Sequence, residues 1–226
     1  MRRLLFLSFS FLATSVLAQE SRRLVWEGSA AIDYELIKNF RFNTSIAQRT
    51  SFLEDSEGNL TEFSFLEFNQ FLTKKISPTW KVSVGYKYRM VDPVEELDVF
   101  EHRLTQQAAF THIDKRFRLV SRARLEQRIR SSSFAHRYRY RLSTDFPLSG
   151  EKIDAREFFL VFSSEALFEA VNGGLNTWEN RLSASLGYAV SNNIKADLTF
   201  TYRIEDINLE FETILFISTG LNIKLN

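Results

Sequence analysis

Between residues 117 and 141 eight arginines are threaded among apolar residues at every second position. In FRLVSRARLEQRIR (117–130), Arg118, Arg122, Arg124, Arg128 and Arg130 occupy even positions with Val120 and Glu126. The odd positions hold Phe117, Leu119, Ser121, Ala123, Leu125, Gln127 and Ile129. A helix would scatter these arginines around its circumference, whereas a strand sets residues i, i+2 and i+4 on one side. In HRYRYRLS, Arg137, Arg139 and Arg141 alternate with Tyr138, Tyr140 and Leu142 in the same way. The spacing predicts strands with one charged and one apolar face.

The alternation runs along the chain. WKVSVGYKYRM sets Trp80, Val82, Val84, Tyr86, Tyr88 and Met90 against Lys81, Lys87 and Arg89. IKADLTFTYRIE sets Leu198, Phe200, Tyr202 and Ile204 against Asp197, Arg203 and Glu205. Only LTEFSFLEFNQFLT is ambiguous, because Phe63 and Phe65 share a phase with Glu67. About eleven segments follow, beginning near residues 24, 40, 60, 80, 99, 117, 135, 155, 179, 194 and 209. Short connections (IKN, KISPT, DKR, SGEKID, SNN) alternate with longer or more acidic ones (EDSEGN, DPVEELD, VNGGLNT). That is the pattern of an up-and-down barrel with short turns at one end.

Three features turn the apolar face outward, toward lipid. About twelve residues at ~3.3 Å each, tilted ~40°, reach roughly 30 Å, enough to cross a bilayer core. Aromatic residues in the apolar phase gather toward both strand ends: Tyr34, Phe40, Trp80, Phe110, Phe117 and Phe146 at the short turns, and Phe52, Tyr88, Phe100, Tyr138, Phe158 or Phe168, and Tyr202 at the other end. Two such girdles mark the two membrane interfaces. The opposite face carries charges of both signs, as a wet lumen does.

The N-terminus fits this reading. MRRLLFLSFSFLATSVLAQE has a basic start, an apolar run, and Val16 and Ala18 before a cleavage point. We expect residues 1–18 to be a cleaved signal peptide and residues 19–226 to form one all-β domain. The fold expected is a transmembrane, antiparallel β-barrel of ten to twelve strands in the outer membrane of a Gram-negative cell. An even number is expected, since bacterial single-chain barrels have one. A strand near residues 19–30, or a merged pair, would bring eleven to an even count.

The sequence excludes several functions. With 29 Lys plus Arg against 28 Asp plus Glu, it has no global electrostatic footprint for nucleic acid. With no cysteine, it has no disulfide, thiolate catalysis or lipid-modified cysteine anchor. None of the three histidines, His102, His112 and His136, has a serine two residues on, and all lie in the apolar phase. HExxH, GxSxG, GxGxxG and P-loop motifs are absent, and EDSEGN lacks the later glutamate of a calcium loop. We expect no enzyme activity, cofactor or metal site. The partners expected are outer-membrane lipids, lipopolysaccharide and, during biogenesis, the barrel-assembly machinery.

The unusual constellation is a charge ladder: Arg103, Arg118, Arg122, Arg124, Glu126, Arg128, Arg130, Arg137, Arg139, Arg141, Glu157, Glu165, Glu179, Arg181, Asp197, Arg203 and Glu205. Two roles fit, an ion-paired filling of the lumen or the wall of a narrow solute or anion pore, and the first is preferred. Long side chains from facing walls each reach ~6 Å into a barrel of radius roughly 12 Å, leaving little open width. An outer-membrane lipid-modifying enzyme is a third and weaker reading.

EHRLTQQ (101–107), the arginine-alternating strand after it, RYRYRLS, ENRLSASLGY and the Trp26–Tyr34 segment resemble an uncharacterised family of bacterial outer-membrane β-barrel proteins, domain of unknown function 2490. The resemblance implies a barrel and an outer-membrane location, and supplies no activity. The final IKLN lacks the terminal aromatic that many such barrels present for assembly, a part left to Phe216 or Leu225.

The phase assignment makes adjacent residues respond oppositely. Leu125→Arg should cost ~2–4 kcal/mol if it lies near the bilayer midplane. Glu126→Gln, on the lumen side, should on alternation alone be far milder. Urea unfolding in lipid vesicles reads the order.

Overall fold

In a computed structural model, the described residues are 24–55, 58–93, 99–114, 117–131, 133–209 and 212–225. The expected signal peptide, the tip of EDSEGN and most of DPVEELD lie outside them. Eleven strands follow in chain order: β1 (Leu24–Ile37), β2 (Phe40–Asp55), β3 (Gly58–Lys75), β4 (Trp80–Val91), β5 (Phe100–Ile113), β6 (Arg118–Arg130), β7 (Phe134–Pro147), β8 (Glu157–Val171), β9 (Thr177–Ala189), β10 (Ile194–Glu205) and β11 (Glu212–Leu225). Each begins within three residues of its sequence expectation. Consecutive strands pair antiparallel, and the sheet closes on itself.

Closure departs from expectation. β1 pairs with β11 in parallel, from Leu24 opposite Leu215 to Tyr34 opposite Leu225. The strand number is odd because the wall is complete with eleven. The segment near residue 24 is β1 itself, and no pair has merged. At a spacing of ~4.8 Å and a tilt of ~40°, eleven strands enclose a backbone radius of roughly 11 Å.

The connections sort to opposite rims. Lys38–Asn39, Ile76–Thr79, Leu148–Arg156 and Val190–Asn193 lie at the turn rim with Asp114 and Phe117, and the described residues of the other connections lie at the loop rim. Leu148–Arg156 is longer than expected for that rim. Asn39 sits at φ 70°, a left-handed conformation that asparagine adopts more readily than other side chains, so β1 can reverse into β2 within two residues.

The faces are inverted relative to a water-soluble protein. Val84 (58% exposed), Leu104 (47%), Tyr140 (53%), Leu182 (54%) and Phe200 (48%) point outward, while Glu101 (2%), Arg103 (3%) and Glu126 (1%) are buried inside. Outward rings meet across strands near each rim. Trp80 lies 5.2 Å from Phe110 and Phe158 4.8 Å from Tyr188 at the turn rim; Tyr88 lies 5.6 Å from Phe100 and Phe168 4.7 Å from Trp178 toward the loop rim. Of the two alternatives for the loop-rim girdle, Phe168 is therefore the member, and Phe158 belongs to the other.

The ambiguous segment is resolved by a bulge. Arg49 faces Phe65 and Thr50 faces Phe63, so Ser64 has no partner residue in β2. One extra residue flips the alternation. Phe63 lies on the outward phase and Phe65, at 3% exposure, lies inside with Glu67. The Ser64 hydroxyl is 2.8 Å from that of Ser51, also inside.

Two inward rings lie over cross-strand glycines: Phe71 over Gly85 and Phe159 over Gly187. A Cβ at Gly187 would come within 2.1 Å of the Phe159 ring. Gly187→Val should therefore destabilise the barrel by ~1–3 kcal/mol. Ala184→Val, outward on the same strand, should change urea unfolding little.

Candidate functional site

Alternation gives each strand one inward row, and pairing sets these rows beside one another. On β5 to β8 they build a continuous chain of ion pairs. Glu101 accepts from Arg103 on its own strand and from Arg128 (2.7 Å) and Arg130 (2.7 Å) on β6. Glu126 accepts from Arg103 (3.3 Å), Arg124 (3.3 Å) and Arg139 (3.0 Å). Glu165 accepts from Arg139 (2.7 Å) and lies 3.3 Å from Arg122. Glu169 joins Arg128, Arg137 and, at 3.8 Å, Arg130. Four carboxylates thus hold seven guanidinium groups.

Smaller clusters line the rest of the lumen. Glu67 accepts from Lys87 and Arg89, each at 2.6 Å, and Glu27 from Arg49 at 2.8 Å. Glu179 joins Arg181 to Arg203 (2.9 Å), which also reaches Glu205 at 2.7 Å. Aromatic rings support these cations from below. The Arg49 guanidinium lies between Phe65 (4.5 Å) and Phe216 (4.9 Å); Arg89 covers Phe65 at 3.8 Å and Arg203 covers Phe216 at 4.0 Å. The ring quadrupole attracts each cation while apolar contact buries the ring. Phe216, Ile214 and Val25 form a small apolar cluster inside the wall. Phe216 therefore serves the lumen, and of the two residues considered for the missing terminal aromatic only Leu225 faces outward.

Most of the ladder is brought together. Arg103, Arg122, Arg124, Glu126, Arg128, Arg130, Arg137, Arg139 and Glu165 share the main network, and Glu179, Arg181, Arg203 and Glu205 share the second. Four members stand apart. Arg118 pairs with Asp145 (2.8 Å) at the turn rim, with its side chain 55% exposed. Glu157 accepts from the Asp154 backbone N–H in the adjoining loop. Asp197 accepts from Thr199 and lies 3.4 Å from the Asn222 amide. Arg141 donates to Ser163 Oγ at 2.9 Å and meets no carboxylate within 4.0 Å among the described residues.

The ladder omitted Glu101 and Glu169, which are hubs, and the Glu67 and Glu27 clusters. Glu101 shares a phase with Arg103 two residues on, a signal the sequence contained. Glu67 was masked by the bulge at Ser64.

The lumen is not solid. A cavity of about 640 Å³ is bordered by residues including Lys87, Arg89, Arg103, Arg124, Arg128 and Arg137. A second of about 570 Å³ lies toward the turn rim among Ser143, Ser163, Ser185, Thr199 and Thr201. Glu27, Arg139, Arg141, Arg181 and Arg203 border both. The charges pair mostly along the wall, so the bore is less filled than side-chain lengths suggested. All three histidines face outward: His102 Nδ1 lies 2.7 Å from the Tyr86 hydroxyl, His112 beside Phe117, and His136 edge-on to Phe134.

A family model described as protein of unknown function (DUF2490) matches residues 25–208. Comparison with curated proteins gives no match. Among solved structures, the siderophore receptor PirA from Pseudomonas aeruginosa is similar over 80% of this chain and 34% of its own, at 14% identity and a TM-score of 0.32. This chain thus spans about a third of that receptor's length.

The geometry revises the expectation for Glu126. At 1% exposure it is the acceptor for three arginines, and its removal takes the carboxylate partner of Arg124 and one of the two held by Arg103 and by Arg139. Glu126→Gln should cost ~3–5 kcal/mol, comparable to Leu125→Arg and not far milder. Urea unfolding of the two variants in vesicles measures both.

Proposed function

The chain belongs to the DUF2490 family, and we propose that it is a non-enzymatic, integral outer-membrane β-barrel whose lumenal ion pairs hold the staves of the wall together. The observation that carries this reading is the inversion of faces. Each strand offers large apolar side chains to the outside, and among the described residues the lumen holds the buried charges. In water this surface would be an aggregation hazard; in lipid it is the favourable one. Strands of twelve to eighteen residues have the length to cross a bilayer. Outer-membrane lipids and lipopolysaccharide then cover the wall, and the barrel-assembly machinery inserts it.

A non-enzymatic role is supported by the placement of the histidines on the outer face, away from the inward serines. A structural role for the charges is supported by their connectivity, since each hub glutamate joins arginines from at least two strands. The second reading, a narrow anion pore, is favoured by the residual cavity and its surplus of guanidinium groups.

Two measurements test this. Membrane fractionation should place the protein in the outer membrane, with heat-dependent gel mobility; recovery as a soluble periplasmic protein without a mobility shift would sink the reading. Replacing Arg124, Arg139 and Arg141 together by Gln should lower stability by at least ~3 kcal/mol, because Glu126 and Glu165 lose buried partners. Planar-bilayer conductance should rise if it changes at all. An unaltered unfolding curve with lost anion selectivity would favour the pore.

A further inference from the structure

We propose that the junction between the two lumenal cavities is a binding site for a small oxyanion, a phosphate or carboxylate, held by Arg122, Arg141 and Arg181. The site lies beyond the structural role of the wall and depends on the barrel alone, not on its cellular location.

Register supplies the argument. Arg122 lies directly opposite Arg141, Arg141 opposite Glu165, Glu165 opposite Arg181, and Arg181 opposite Arg203. Five consecutive strands therefore contribute one inward row of four arginines and a single glutamate. Like charges directly opposite one another destabilise a sheet unless a counter-charge lies between them. Glu165 does not neutralise the row, because one oxygen takes Arg139 at 2.7 Å and the other lies 3.3 Å from Arg122. Arg181 and Arg203 share Glu179. Arg141 has only the hydroxyl of Ser163. Beside it, the Arg139 Nε–H is buried with no protein acceptor.

These groups face open space. Arg139, Arg141, Arg181 and Arg203 border both cavities together with one carboxylate, Glu27, which is already paired with Arg49. A guanidinium offers five N–H donors in a planar fork that fits two oxygens at once. Most donors of Arg141 and Arg181 are unused, both side chains border the cavities, and guanidinium groups outnumber carboxylates along the row. An oxyanion matches this geometry, where chloride would match only the charge. The site faces the lumen, behind a wall hydrogen-bonded on both sides, and suits a soluble anion and not a lipid headgroup.

The test uses the refolded full barrel in maltoside micelles, which carry no phosphate. Inorganic phosphate replaces sodium chloride at constant ionic strength, and succinate forms a separate arm. The urea midpoint should rise saturably with phosphate or succinate. The double variant Arg141→Gln, Arg181→Gln should lose the affinity at least about tenfold, the loss of one charge-assisted hydrogen bond. Arg118→Gln at the rim should retain it. Without oxyanion, Arg141→Gln alone should match or exceed the parent in stability, since it removes a cation that has no carboxylate within 4.0 Å among the described residues and lies opposite Arg122. If the double variant does not fold, Arg141→Lys, which keeps the charge and loses the fork, should bind more weakly. Absence of saturable stabilisation over chloride, unchanged affinity in the double variant or in Arg141→Lys, or a lower midpoint for oxyanion-free Arg141→Gln would each overturn the proposal. A response abolished by vesicles of phosphatidylglycerol added to the micelles would instead assign the site to a headgroup.

Discussion

Seven arginines and four glutamates on strands β5 to β8 form one unbroken chain of ion pairs, and the arginine-rich inner wall depends on the glutamates at its nodes. A buried guanidinium without a counter-charge is expensive. By drawing on partners from adjacent strands, each glutamate also fixes register. A slip by one residue would turn the charges outward among the apolar side chains and the apolar ones inward. The outer surface and the inner network therefore specify the same alignment from opposite sides.

Aromatic residues complete that wall from within. Phe65 and Phe216 break the polar alternation, yet each lies beneath arginines from two other strands. A long cationic side chain laid along a ring keeps its charged end toward the bore and covers apolar area with its stem. Inward rings over Gly85 and Gly187 follow the same economy of space, the missing side chain making room for the large one across the pair.

Local order was largely legible in the sequence, and long-range order was not. Period two located the strands and the inward phase of Arg103, Arg124 and Arg139, because alternation is a property of a few consecutive residues. It failed where one residue interrupts the period, at Ser64, hiding Glu67 and its two cations. Phe216, considered for the terminal aromatic, shares the phase of Glu212 and Lys224, and register with Thr201 and Val25 sets it inside. That Glu126 joins three strands, or that Arg141 is left with a hydroxyl, depends on diagonal reach across the sheet, which spacing along one strand does not encode. The parallel closure joins residues nearly two hundred positions apart and leaves no local trace.

That closure also governs sidedness. Five hairpins use ten strands, and the eleventh makes the first and last strands run in the same direction. Leu24 therefore enters the wall at one rim and Leu225 leaves it at the other. In an even-stranded barrel both chain ends emerge into the same compartment. Here a membrane around the wall would lie between Leu24 and Leu225, so that the first strand begins on one side and the last strand ends on the other.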